Sequence, residues 1–273
     1  CRARERGERG GAMSGAFRYL HHVRRVWLIA GLILLSGAGA WIYHAFFAER
    51  ANPSQAEYPL RGIDISAHNG EIDFAKLRDA GVRFAYVKAT EGADFLDKRY
   101  VANCTGLSRE GIALGAYHFF RFDKDGEMQA WNFLNALKGR KMQLPPAIDV
   151  EEWGNTDDPG RRRVQKELRR MVTLMQEEGY APIIYTNKKG YQRYVRDRFT
   201  DIPLWICSFT GPPMEGDAVP WTIWQFSHRG SIAGITGAVD CNTINPRDPL
   251  FGAVSGYGNN PLWSCVRICR RGQ

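Results

Sequence analysis

In the run Pro145-Pro146-Ala147-Ile148-Asp149-Val150-Glu151, two carboxylates stand two residues apart at the end of a short apolar stretch. If this stretch is a strand, its side chains alternate, so Asp149 and Glu151 face the same way, about 6.5–7 Å apart along the backbone. Two carboxylates that close repel when both are ionised, and one of them keeps its proton to higher pH. A protonated acid beside a carboxylate is the pair that cleavage of a glycosidic bond requires. Taken alone, D-x-E fits a solvated pair of loop acids equally well. Context favours a site, because Asp64 and Asp240 also lie at the ends of apolar runs. Acids in such places must be solvated in a cleft or paired, since a lone buried carboxylate is costly.

Aromatic and amide side chains repeat the pattern. Tyr117, His118, Phe119, Tyr185, Trp205, Trp224 and Gln225 all fall at or near the ends of apolar runs. Sugars present apolar faces that stack on aromatic rings, and Tyr and Trp add polar handles. Any one of these rings could be core packing; as a group they fit a carbohydrate cleft, with Tyr117, Tyr185, Trp205 and Gln225 as its candidate binding residues.

Positioning such a set requires a particular order of elements. Strand candidates are residues 61–66, 83–89, 112–119, 146–151, 181–186, 203–207, 221–226 and 236–240; helix candidates are 73–80, 97–110, 124–138, 158–179 and 189–197. Alternation of the two over most of the chain implies a mainly parallel sheet with helical crossovers. Eight strands favour a closed or nearly closed α/β barrel, irregular in its second half where the helices weaken. In barrels of this kind the reacting groups sit at the C-terminal ends of strands, which is where the four acids fall. The expected boundaries are a linker at 48–60, the barrel at 61–252 and a tail at 253–273.

The chain has 273 residues, 37 Lys+Arg against 29 Asp+Glu, and a formal net charge of +8. That charge sits in the flanks: residues 1–25 contribute +5 and residues 267–273 contribute +3, leaving 27 basic and 27 acidic side chains between them. The balance removes nucleic acid as an expected partner, which only the total charge had favoured. Residues 26–47 contain no formally charged side chain. At about 1.5 Å per residue they could cross a bilayer core of about 30 Å. Trp27 at one end and Trp41 and Tyr43 near the other suit its interfaces, and Arg18, Arg24 and Arg25 place the N-terminus in the cytoplasm. The expectation is one N-terminal transmembrane helix, with the catalytic domain outside the cytoplasmic membrane, in the periplasm or its equivalent. A signal peptide cleaved near Ala40 and a buried core helix are the competing readings. Residues 1–12 precede the first methionine, Met13, and are open to the reading of an upstream translation without functional meaning.

Six cysteines at these spacings form neither a dense disulfide framework nor a metal site. Cys104, Cys207 and Cys241 are expected as buried free thiols. With no metal cluster, phosphate loop or nucleotide motif, no cofactor is expected. The oligomeric state has no signature.

Ten segments in order resemble glycoside hydrolase family 25, the Chalaropsis-type lysozymes or N-acetylmuramidases. They are GIDIS at 62–66, His68-Asn69-Gly70, Ile72-Asp73-Phe74, FAYVKATEG at 84–92, GAYHFF at 115–120, AIDVE at 147–151, IIYT at 183–186, PLWI at 203–206, TIWQF at 222–226 and VDCN at 239–242. The resemblance implies an irregular TIM-like barrel that hydrolyses the β-1,4 bond between N-acetylmuramic acid and N-acetylglucosamine in peptidoglycan. It also implies that Glu151 is the general acid, that Asp149 stabilises charge near the anomeric centre, and that Asp64 and Asp240 are the other acids of the cleft. Whether a carboxylate or the substrate's acetamido group acts as nucleophile is left open. A non-catalytic peptidoglycan-binding module and a glycosidase acting on chitin-like polymers are the alternatives.

Overall fold

Each strand candidate overlaps a strand, the last one shifted from 236–240 to 239–244, and the strands close on one another. In the computed structural model, which describes residues 23–39, 51–155, 157, 159–213 and 221–257, the strands are β1 (Arg61–Ile65), β2 (Val82–Glu91), β3 (Phe95–Leu96), β4 (Ala113–Phe119), β5 (Ala147–Asp149), β6 (Ile183–Asn187), β7 (Leu204–Cys207), β8 (Ile223–Gly230) and β9 (Val239–Ile244). The pairings run β1-β2-β4-β5-β6-β7-β8-β9 and return to β1, a closed barrel of eight. Seven of these strands are mutually parallel, and β9 runs antiparallel to both its neighbours, β8 and β1. A parallel return needs a crossover of a dozen residues or more; only eight residues, 231–238, join β8 to β9. This short link is the physical reason for the irregular second half. The two-residue β3, which the sequence reading did not foresee, forms a small antiparallel ribbon on β2.

Helices α2 (Phe74–Asp79), α3 (Tyr100–Arg109), α4 (Gly126–Leu137) and α5 (Arg161–Glu177) cross between strands, and α6 (Lys188–Gly190) runs into a π-helical turn at Tyr191–Val195. Helix α5 shows why the sequence folds this way. Val164, Leu168, Met171, Val172 and Met175 recur at three- and four-residue intervals and are buried, while its arginines face outward. Asp125 caps α4 by accepting from the amides of Glu127 and Met128 at 2.9 and 3.1 Å.

Strand periodicity sorts the barrel into two apolar layers. Outward residues such as Ile63, Ile65, Val87, Ile148, Ile184 and Ile206 pack with the helices. Inward residues Phe84, Tyr86, Ala147, Ile183, Trp205, Ile223 and Ile244 fill the barrel. Helix α7 (Pro249–Ser255) adds Leu250 and Val254 to this inner cluster. The packed domain therefore extends past residue 252, where the alternating pattern fades, because a single capping helix needs no strand to follow it. The stretch read as a linker also packs: the Ala51 amide donates to the Phe209 carbonyl at 2.7 Å, and the Tyr58 ring lies 5.7 Å from that of Trp224.

Residues 23–39 form helix α1 in a separate unit, Cys1–Glu49. Among the described residues no helix is long and apolar enough to cross a membrane. The remainder of the expected span, 40–47, lies outside those residues, as do 1–22 and 258–273 with Cys1, Cys265 and Cys269. Cys104, Cys207 and Cys241 are free thiols.

Two inward glycines leave room for the rings that fill the barrel. A Cβ at Gly62 would lie 2.4 Å from the Phe84 ring, and one at Gly115 would lie 2.6 Å from the Tyr86 ring. Both rings are fully buried and cannot move aside without displacing the layer beneath the acids. Gly62→Ala and Gly115→Ala are each expected to lower the unfolding free energy by about 1–3 kcal/mol, read from urea denaturation; an unchanged midpoint would show that the rings yield freely.

Candidate active site

Because seven of the eight barrel strands are parallel, their C-terminal ends open on one side, and the inward residues there line a cleft of about 850 Å³. Asp64, Asp149, Glu151 and Asp240 all line it, together with Tyr117, Tyr185, Trp205 and Gln225. Residues more than 170 positions apart in the chain are thus brought together. Register explains the closest pair: β9 runs antiparallel to β1 and places Asp240 directly opposite Asp64. Asp240 is the second residue of β9 rather than its last, where the strand-end expectation had put it, and the antiparallel direction brings that N-terminal end to the same rim as the C-terminal end of β1.

Asp64 Oδ2 accepts from Asn242 Nδ2 at 2.7 Å and from Gln225 Nε2 at 3.0 Å, and Asp240 donates a further hydrogen bond to the Asp64 carboxylate. Burial raises the Asp64 carboxyl, opposed by these three bonds. Burial, the Asp64 charge and the Glu151 charge together push Asp240 up to about 8. Both carboxyls are raised, and with a hydrogen bond between them the two titrate as a pair.

Glu151 is pushed up to about 7, first by burial and then by the Asp64 charge, against a lowering hydrogen bond from the Asn187 side chain. Asp149 is raised well above the carboxylate range by burial and by Glu151 and Asp64, with Lys88 pulling the other way. Its Oδ1 is buried and has no hydrogen-bond partner among the described residues. A buried acceptor left unpaired is costly, so this oxygen is prepared for a donor that arrives with a ligand. Lys88 is held by Glu91 at 2.7 Å and lies 5.3 Å from the centre of the Phe119 ring.

The binding candidates divide by exposure. The Tyr185 hydroxyl donates to Gln225 Oε1 at 2.9 Å. Tyr117 is partly exposed on the cleft wall. Trp205, only 2% exposed, packs its ring against Tyr86 and Tyr185 at 4.5 and 4.8 Å and donates Nε1–H to Asn242 Oδ1 at 2.9 Å. It forms floor rather than a stacking surface. His118 and Trp224, which the strand-end pattern also picked out, point away from the cleft because they alternate with Tyr117 and Gln225. His118 is buried between Thr90 and Gln129, and burial lowers its imidazole to about 4.

Four residues of the site were passed over in the sequence: Lys88, Trp153 and Asn187, which line the cleft, and Asn242, which is buried behind Asp64. The signal that could have found most of them is the same period of two. Lys88 follows Tyr86 at i+2, Trp153 follows Glu151, Asn187 follows Tyr185, and Asn242 follows Asp240. Trp153 is 81% exposed at the mouth, a large apolar face open to a ligand. Across the cleft, the rings of Phe209 and His228 lie 4.4 Å apart.

With this geometry in place, comparison with known proteins is specific. Residues 63–235 match the model of glycosyl hydrolases family 25. The chain is 35% identical over 218 residues to the uncharacterized protein YegX of Escherichia coli K12, covering 76% of this chain and 77% of that protein. It is 30% identical over 187 residues to the autolytic lysozyme of Clostridium acetobutylicum, covering 68% of this chain and 56% of that protein. Among solved structures, a family 25 glycosyl hydrolase from Bacillus anthracis superposes with a TM-score of 0.67 at 33% identity, covering 74% of this chain and 96% of that one. By sequence, by barrel topology and by the acids at its strand ends, the chain belongs to glycosyl hydrolase family 25.

Proposed function

We propose that this protein is a lysozyme-type muramidase that hydrolyses the β-1,4 bond between N-acetylmuramic acid and N-acetylglucosamine in peptidoglycan. The observation that carries the reading is the Asp149–Glu151 pair, two neighbouring acids raised together in a cleft with an exposed aromatic rim. Relatives named as lysozymes and N,O-diacetylmuramidases support the substrate.

Glu151, protonated up to about pH 7, is the proton donor to the leaving oxygen. Asp149 Oδ1, buried and unpaired, accepts the acetamido N–H of the bound sugar. That bond favours the ionised form of Asp149, so the remaining proton stays on Glu151, where the leaving group needs it. The acetamido oxygen is thereby oriented toward the anomeric carbon. Asp64, with its shared proton on Asp240, keeps a negative charge near the developing positive charge of the sugar.

The location belongs to the same proposal. Helix α1 exposes Trp27, Leu28, Leu32, Ile33, Leu34 and Leu35, and residues 26–47 carry no formal charge. This supports a single N-terminal span that holds the catalytic domain outside the cytoplasmic membrane, against wall substrate. The full chain is expected in the membrane fraction after an alkaline wash and in solution only with detergent. Recovery as a soluble form whose N-terminus lies near residue 41 would show instead that the segment is a cleaved signal.

Glu151→Gln is expected to abolish clearing of purified peptidoglycan, and wild-type digests should end in reducing N-acetylmuramic acid by mass spectrometry. Clearing by the variant would remove Glu151 from the acid role, and reducing N-acetylglucosamine ends would remove the muramidase bond. The same variant is expected to melt at a higher temperature than the wild type at pH 8, with the difference closing toward pH 4. The folded-state pKa lies above the unfolded value, so the native acid binds more protons than the unfolded one, and stability falls as pH rises through that interval.

Activity is expected to decline as pH rises through about 7, where Glu151 loses its proton. A rate that stays flat to pH 9 would contradict the assignment.

A further inference from the structure

Two hydrogen-bond relays converge on Asp64, and their polarity is fixed by chemistry. An indole Nε1–H can only donate. The atom of Asn242 that lies 2.9 Å from Trp205 Nε1 is therefore its carbonyl oxygen, and the amide nitrogen must face Asp64 at 2.7 Å. Asp64 Oδ2 is thus obliged to accept. Gln225 presents its nitrogen to the same oxygen at 3.0 Å, and its carbonyl accepts from the Tyr185 hydroxyl at 2.9 Å. Two amide donors on Oδ2 favour the ionised form of Asp64, which biases the proton of the Asp64–Asp240 pair toward Asp240.

We propose that Trp205 is a positioning residue: through Asn242 it locks Asp64 as the ionised member of the Asp64–Asp240 pair and so dictates which acid carries the proton during catalysis. Trp205 is 2% exposed and Asn242 fully buried, so neither is free to exchange this bond for one with water. Without the indole donor, Asn242 can turn its oxygen toward Asp64, and that arrangement favours a protonated Asp64. Trp205 thus acts on the reaction from the cleft floor, through Asn242.

The groups facing Asp64 are few in kind. Asp240 on β9, Asp149 at the end of β5 and Glu151 two residues beyond it are the acids, and Lys88 on β2 is the cation that reaches Asp149. Tyr117 on β4, Tyr185 on β6 and the thiols of Cys207 and Cys241 are all raised by burial and stay neutral across the working range. His68, His228 and Glu91 line the same cleft, and of the groups packed directly against Asp64 the carboxylates are the ones that take up protons along the acid limb.

The inference rests on the muramidase reading, and the test separates the two. Initial rates of product release from peptidoglycan are measured against pH for the full chain, for Trp205→Phe, for Asn242→Ala and for the double variant. Circular dichroism checks that each is folded. Both single variants are expected to move the acid limb upward by about one pH unit, and the double variant no further than Asn242→Ala alone, because the two residues act in series. Rates reduced in equal proportion at every pH, with the limb in place, would overturn the proposal, as would additive shifts in the double variant. Should one single variant fail to fold, the limb position in the other decides. No clearing by the wild-type chain at any pH would instead defeat the muramidase reading.

Discussion

Four carboxylates in one half-buried cleft repel one another and lose hydration, and everything around them limits that cost. Removed from water, each ionised acid is penalised by several kcal/mol unless it is paired or hydrogen-bonded. Here the charge is reduced in three ways. Asp240 keeps a proton and gives a hydrogen bond to Asp64; Asn242 and Gln225 aim two amide donors at the same Asp64 oxygen; Lys88 faces Asp149 from the next wall. The compensation is incomplete at Glu151 and Asp149, where the carboxyls remain protonated beyond their usual range. In the proposed mechanism that incomplete compensation is the catalytic property, since a proton donor at neutral pH and an unpaired acceptor are both products of it.

The barrel is what makes this arrangement affordable in structural terms. Its apolar layers, with Ile63 and Ile148 outside and Tyr86, Ala147 and Trp205 inside, hold β1, β5 and β7 rigidly below the acids. The donors sit on strands rather than loops, so their positions are set by backbone pairing. The reversal of β9 matters most: it lies between β8 and β1 and supplies Asp240, and Asn242 two residues further along, directly against Asp64 and Gly62.

Much of this was legible in the amino-acid sequence, because strand alternation and helix periodicity are local signals. PAIDVE and RGIDIS announce both their strands and their acids, and α5 is evident from its apolar spacing. Other features depend on contacts between distant segments. The direction of β9 depends on a short link whose geometry no local pattern records. The capping role of α7 depends on two apolar residues, Leu250 and Val254, that find their partners only in the closed barrel. Trp205 lies in the cleft as its type and strand-end position imply, but its near-complete burial and its bond to Asn242, which make it part of the floor, depend on contacts across the closed barrel. The charge balance of residues 26–266 likewise follows from counting, and it leaves the wall-facing domain to be concentrated by the proposed tether rather than by net attraction.

The central claim is that protonated carboxyl groups persist in the folded cleft at neutral pH. Infrared difference spectroscopy of the wild type against Asp240→Asn and Glu151→Gln at pH 7 tests it directly. The account predicts a protonated-carboxyl C=O band in the wild type that weakens in each variant and vanishes on further alkalinisation. A wild-type spectrum at pH 7 containing only ionised carboxylates would contradict it.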